Sequence, residues 1–121
     1  MVPDDLAQFA CSLRSLWALD VLNLLYRSRP REWTVPDVTR ELRSSDTLVE
    51  QTLALLEGRG LVARDASGLA RYQFADPATD DLVARLMDLY KVRPVALIDL
   101  IYSDANQKLR ILSNAFRLKK D

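Results

Sequence analysis

The chain has 121 residues, which is the size of one domain. Apolar residues make up 49% of it and charged residues 28%, as in a folded globular protein rather than a disordered one. Its 17 basic side chains are matched by 17 acidic ones, so the formal net charge is zero. The strongly basic balance typical of nucleic-acid-binding proteins is therefore missing.

The residue types exclude several kinds of site. Without histidine, a His-activated nucleophile, a His-ligated metal and a histidine pH switch are impossible. The single cysteine, Cys11, can form neither an intramolecular disulfide nor a cysteine-built zinc site. The glycines fit neither of the phosphate-binding patterns GxxxxGK(S/T) and GxGxxG. In each of the acidic pairs, at 4–5 and at 80–81, the two adjacent carboxylates would face different ways on a helix and could not act together. We expect no enzymatic activity, no cofactor and no metal.

The sequence also predicts where the protein resides. Its first residues are acidic where a secretory signal would be basic, and no uncharged stretch approaches the ~20 apolar residues that span a bilayer. A lone cysteine suits a reducing compartment. We therefore expect a soluble, cytoplasmic protein with no membrane partner.

The first predicted helix runs from Leu6 to Arg27. Apolar residues recur along it at three- and four-residue spacing, and further leucines lie off this stripe, so we expect burial on more than one side. Pro30 disfavours helix at the residue before it and marks the end of this element. Trp17 and Trp33 are expected in the core, and Cys11 is expected to be a small buried apolar residue.

Two shorter helices are predicted next. The second helix spans Thr34 to Leu42, where the threonine can act as N-cap and Pro36 lies in the first turn. The third helix spans Thr47 to Glu57, and either Ser45 or Asp46 can cap it. Two glycines follow and end it, because glycine tolerates the left-handed backbone conformation.

A hairpin and two more helices complete the prediction. Leu61 to Asp65 and Leu69 to Phe74 are expected to be strands joined by a tight turn. A fourth helix is predicted from Ala78 to Lys91 and a fifth, long one from Pro94 to Leu118. The fold class is therefore mainly α with a small β-hairpin, divided into a first segment, 1–76, and a C-terminal helical segment, 77–121, within a single compact unit.

Three short motifs carry a resemblance to a known group of proteins. They are Thr34-Val35-x-x-Val38-x-x-x-Leu42, Val49-x-x-x-Leu53-x-x-Leu56-Glu57-x-x-Gly60-Leu61-Val62 and Gly68-x-x-Arg71-Tyr72-x-Phe74. Over residues 10–75 the chain resembles the winged helix-turn-helix transcriptional regulators, in the broad group around the MarR-, ArsR- and PadR-like proteins. This resemblance implies that the third helix enters the DNA major groove and that the hairpin, or wing, lies on the neighbouring backbone.

The resemblance implies two sets of DNA-binding residues. Those that would read base edges from the third helix are Ser45, Thr47 and Gln51. Those that would hold phosphates, from the end of the second helix and from the wing strands, are Arg40, Arg43, Arg64 and Arg71. The alternative for each arginine is a solvated position or a local ion pair, for instance of Arg40 or Arg43 with Asp37 or Glu41.

The charge of this region departs from the pattern of the group. The stretch from Ser44 to Gly58 has no basic residue but carries the acids Asp46, Glu50 and Glu57, and residues 1–76 hold nine basic and eleven acidic groups. Phosphate neutralisation supplies most non-specific DNA affinity. The alternative function is therefore a protein-interaction adaptor that does not bind DNA and docks a basic partner through the acidic third helix.

The fifth predicted helix carries a heptad seam typical of helices that pair. Its members are Val95, Ile98, Tyr102, Ala105, Leu109, Leu112 and Phe116. A chain of this size has little core left to cover such a seam, so we expect a homodimer that presents two recognition helices to a palindromic site. Packing of the seam against the fourth helix of the same chain is the alternative.

A ligand-controlled regulator is a third possibility. An apolar cavity between the first and fifth helices of the dimer would be lined by Trp17, Tyr90 or Tyr102. The sequence offers no polar constellation that identifies the ligand.

Overall fold

A computed structural model describes residues 4–13 and 15–102. Its elements in chain order are α1 (Asp4–Ser12), α2 (Leu16–Arg27), α3 (Val35–Leu42), α4 (Asp46–Gly58), β1 (Val62–Arg64), β2 (Ala70–Tyr72) and α5 (Pro77–Val92). Residues 94–102 are also helical and are labelled α6. The described chain is mainly helical with one small antiparallel sheet, which confirms the fold class at this level.

The first predicted helix is two helices in the structure. α1 ends at Ser12, and α2 begins after Ser15, whose backbone is extended and whose hydroxyl accepts a hydrogen bond from the Ala18 amide at 3.1 Å. The prediction of one helix from Leu6 to Arg27 was therefore wrong. The apolar spacing continues through the break, so periodicity alone does not reveal the internal N-cap.

Most of the circumference of α2 is buried. Its buried residues are Ala18, Leu19, Val21, Leu22, Leu24 and Leu25. The helix packs against α3, α4 and β2, while α1 packs against α5. Each buried leucine stabilises the fold by about 1.5–3 kcal/mol, so this one helix supplies much of the core. The predicted burial of this segment on more than one side is confirmed.

Local capping defines α3 and α4 as predicted. Thr34 Oγ1 accepts a hydrogen bond from the Asp37 amide, and Ser45 Oγ accepts one from the Leu48 amide, both at 3.2 Å. Between the two helices, Arg43 has a left-handed backbone with φ of 53°. The caps and this residue fix the short turn that orients α4 relative to α3.

The predicted hairpin is present and is extended by a bridge. Val62 pairs with Tyr72 and Arg64 with Ala70. Trp33 forms an isolated bridge to Ala70, through backbone hydrogen bonds of 2.7 and 2.8 Å. This bridge anchors the outer edge of β2 to the segment that connects α2 with α3.

The two tryptophans have different environments. Trp33 is buried, as predicted, and its Nε1 donates a hydrogen bond to Ser28 Oγ at 2.9 Å. Trp17 is 39% exposed, so its expected place in the core was wrong. The break at Ser15 is the physical reason, because a new helix starts there and the apolar stripe of α1 does not fix its phase. Cys11 is half-buried, with Sγ 3.9 Å from the Leu100 carbonyl oxygen.

One hydrophobic core runs through both predicted segments, 1–76 and 77–121. Within α6, Leu97 and Ile101 are buried in it, whereas the seam residues Val95 and Tyr102 are 68% and 54% exposed. Ile98 is half-buried. The remaining seam positions, 105, 109, 112 and 116, lie outside the described residues. Among the described helices, none has the length and apolar character needed to cross a membrane.

Gly60 occupies a position that requires glycine. Its φ is +75°, and an added Cβ would lie 2.9 Å from the Ala75 Cβ. We expect Gly60→Ala to lower the free energy of unfolding by about 2 kcal/mol, through backbone strain and overpacking, as measured by thermal and chemical unfolding. Gly58→Ala is the matched control, because nothing lies within 4 Å of its Cβ position, and it should be neutral or stabilising. Equal melting temperatures for the two variants would contradict this account.

Candidate nucleic-acid interface

One face of α4 is exposed along the whole helix. The exposed side chains are Asp46, Thr47, Glu50, Gln51, Ala54 and Glu57. The opposite face is buried through Val49, Leu53 and Leu56. The three- and four-residue spacing of the inward residues thus holds a polar face outward, with Thr47 and Gln51 one turn apart on it.

The turn between α3 and α4 adds polar groups beside this face. Ser45 is exposed, and although its oxygen caps α4, its hydroxyl proton can still donate a hydrogen bond. Arg43 is exposed two residues earlier. Arg40 lies at the end of α3, with Nη2 2.9 Å from Asp37 Oδ1 and a side chain that is 77% exposed. An exposed pair of this kind is weak, so Arg40 can exchange Asp37 for another anion.

An ion pair connects α4 to the hairpin. Arg64 Nη1 lies 2.5 Å from Glu50 Oε2, and Nη2 lies 3.3 Å from Oε1. The same Nη2 donates a hydrogen bond to the Gly68 carbonyl at 3.0 Å. The Arg64 side chain is only 18% exposed. Sequence reasoning missed this pair, because its members are 14 residues apart and meet only through the packing of β1 on α4.

This ion pair changes the charge of the α4 face. The hydrogen bond from Arg64 holds the pKa of the Glu50 carboxyl below its ordinary value, so the pair stays ionised at neutral pH. Glu50 therefore adds little repulsion toward a phosphate, since its charge is neutralised. Arg64, for its part, is occupied by Glu50 and Gly68 and is the least accessible of the four arginines predicted to contact phosphate.

Arg71 lies on the other side of the hairpin from Arg64. Side chains alternate along a strand, and the neighbours of Arg71 on β2, Ala70 and Tyr72, are buried, whereas Arg71 is exposed. Arg64 pairs with Ala70 and shares its side of the sheet. Within residues 4–13 and 15–102, none of the ion pairs includes Arg43 or Arg71, so both present an unneutralised guanidinium.

The turn of the hairpin carries an acid whose role the sequence analysis did not anticipate. Asp65 Oδ1 accepts hydrogen bonds from the Ser67 amide at 2.9 Å, the Ser67 hydroxyl at 2.7 Å and the Leu69 amide at 2.9 Å. These bonds lower the pKa of the Asp65 carboxyl and keep a negative charge at the tip. The sequence signal is Asp-x-Ser-Gly, because aspartate at the first position of a turn bonds its own backbone two residues on.

The structure therefore brings together part of the predicted set of DNA-binding residues. Chain continuity places Arg43, Ser45 and Thr47 together at the start of α4. Arg64 reaches the same helix through Glu50, while Arg71 faces away from it.

Comparison with known proteins does not identify a family. No protein-family model matches this chain, and no curated protein matches it in sequence.

The Glu50–Arg64 pair predicts a specific pH dependence of stability. Because the folded-state pKa of Glu50 is lowered from its ordinary 4.5, the pair contributes stability that is complete above this value and is lost as the pH falls below it. Glu50→Gln should therefore be less stable than the wild type at neutral pH, and this difference should shrink as the pH falls below 4.5 and through the lowered folded-state pKa. The readout is the difference between the two urea-unfolding curves, since other carboxyls with lowered pKa, such as Asp65, titrate in both proteins. A difference that does not change with pH would contradict the ion pair.

Proposed function

We propose that the segment from α2 to β2 is a winged helix-turn-helix and that the protein is a sequence-specific, duplex-DNA-binding transcriptional regulator acting as a homodimer. The observation that carries this proposal is the exposed polar face of α4, a helix that follows the short capped helix α3 and precedes an antiparallel hairpin. In winged-helix proteins the helix at this place enters the major groove. Hydroxyl and amide groups such as those of Ser45, Thr47 and Gln51 hydrogen-bond base edges there.

The phosphate contacts are assigned according to accessibility. Arg43 and Arg71 are exposed and form no ion pair with a described residue, so they would contact phosphates directly. Arg40 would exchange its weak pair with Asp37 for a phosphate. Arg64 would act chiefly by neutralising Glu50 and by holding the hairpin on α4.

A homodimer would double this small number of cations. The exposed apolar residues Val95 and Tyr102 begin the heptad seam, and Leu97 and Ile101 on the opposite side of α6 are already buried in the chain's own core. Pairing of two such helices through the seam would cover the exposed side. Two-fold symmetry would then present two copies of α4 to a palindromic site.

The acidic groups of this surface favour a second candidate, a protein-interaction adaptor that does not bind DNA. Asp46 and Glu57 are exposed and form no salt bridge with a described residue, and Asp65 adds a carboxylate at the tip of the hairpin. A basic protein surface would complement these charges, whereas phosphates would be repelled by them.

Arg71→Ala tests the proposed phosphate contacts. We expect weaker binding to every duplex sequence and a salt dependence whose slope, log affinity against log salt concentration, is smaller by about one per protomer. The measurement is fluorescence anisotropy with a labelled duplex at several salt concentrations. Arg93→Ala is the matched control, because this exposed arginine follows α5 and lies on none of α3, α4 and the hairpin. Equal losses in the two variants would remove Arg71 from the interface.

Glu50→Lys separates the two candidate functions. The reversal removes a carboxylate from the α4 face and releases Arg64 from its partner, so the face gains positive charge. A DNA complex should become tighter and more salt-dependent. An adaptor complex with a basic partner should instead become weaker. Unchanged or weaker DNA binding, with the fold intact by circular dichroism, would count against the regulator.

A further inference from the structure

A groove of about 560 Å³ lies between the C-terminal parts of α2 and α5. Its lining includes Asn23, Tyr26 and Arg27 from α2, and Met87, Tyr90 and Lys91 from α5. The volume falls within the range of roughly 300–1,000 Å³ that is typical of small-molecule sites. No residue of α3, α4 or the hairpin lines it, so the groove is separate from the surface proposed for DNA.

The aromatic walls of the groove are held in place. The Tyr90 hydroxyl donates a hydrogen bond to Asp20 Oδ1 at 2.6 Å, which ties α5 to α2. The ring of Tyr26 packs edge-to-face on Tyr72, with centroids 5.1 Å apart, and the guanidinium of Arg29 lies 3.7 Å from its centroid. Two fixed rings offer a planar ligand apolar surface without a rearrangement of the groove.

The rim of the groove carries two cations. Arg27 and Lys91 are both exposed, and neither forms a salt bridge with a described residue. Asp88 also lines the groove, and a second carboxylate, that of Asp20, is engaged by the Tyr90 hydroxyl. An arginine binds a carboxylate or a phosphate through two parallel hydrogen bonds, and a lysine adds a point charge. The Asn23 amide can supply a further donor.

We propose that this groove binds a small organic anion with a planar, apolar body. The anionic group, a carboxylate or a phosphate, lies between Arg27 and Lys91. The body packs against Tyr26, Met87 and Tyr90. This site goes beyond the proposed DNA-binding function and does not depend on it.

The test is a titration of the full chain followed by heteronuclear NMR. Benzoate and phenyl phosphate are the anionic probes, and benzamide is the neutral probe of matched ring and size. We expect both anions to shift backbone signals of the C-terminal parts of α2 and α5 in a saturable way, and the stronger of the two identifies the preferred headgroup. Benzamide should bind about three- to tenfold more weakly than benzoate, since it forms no charge-assisted contacts.

Variants test whether the two cations of the rim hold the anionic group of the ligand. The double variant Arg27→Gln with Lys91→Gln should lower benzoate affinity about three- to tenfold and leave benzamide unaffected. Arg31→Gln is the control, because this exposed arginine lies over Trp33 and does not line the groove. Both rim cations also lie in the last turns of their helices, where they compensate the helix dipole, so melting temperatures are measured in parallel.

Three results would overturn the site. The first is equal binding of benzoate and benzamide to the wild type, a comparison that needs no variant. The second is unchanged benzoate affinity in the double variant. The third is a lower melting temperature of the double variant together with a loss of benzamide binding as large as its loss of benzoate binding. This result would mean that the two cations only stabilise the C-terminal ends of their helices.

Discussion

The burial of α2 on most of its circumference determines where α3, α4 and the hairpin lie. With apolar residues such as Leu19, Leu22 and Leu25 at almost no exposure, this helix must be covered by neighbours on several sides. α3, α4 and β2 supply that cover, and each is amphipathic enough to present only one apolar side to it. The polar face of α4 is therefore outward because its apolar face is needed inward.

The Glu50–Arg64 pair shows why a count of charges is a poor guide to this surface. In the sequence, Glu50 counts against DNA binding and Arg64 counts in its favour. In the structure they neutralise one another and fix the hairpin to α4. Neither charge is therefore free to repel or attract a phosphate, as the count of charges assumes. What remains is a few unneutralised arginines, Arg43 and Arg71 among them, set against the acids Asp46 and Glu57. Two-fold symmetry would give such a modest set of cations a useful phosphate affinity.

Most features that depend on neighbouring residues were predicted from the sequence, whereas the contacts between distant elements were not. The caps at Thr34 and Ser45 and the hairpin between β1 and β2 follow from local chemistry and were predicted correctly. The N-cap at Ser15 is local too, but the continuous apolar spacing around it concealed it. The ion pair across 14 residues and the groove between α2 and α5 arise only when distant elements meet. The sequence can suggest the outward residues of α4, since they follow from periodicity, but not their partners.

The most direct measurement is the binding of purified protein to random-sequence and genomic duplex fragments, from about 50 to about 200 mM salt. We predict affinity that falls steeply with salt and an enriched palindromic site occupied by two protomers. The absence of binding at the lowest salt concentration would contradict the regulator and leave the acidic face of α4 as a surface for a protein partner.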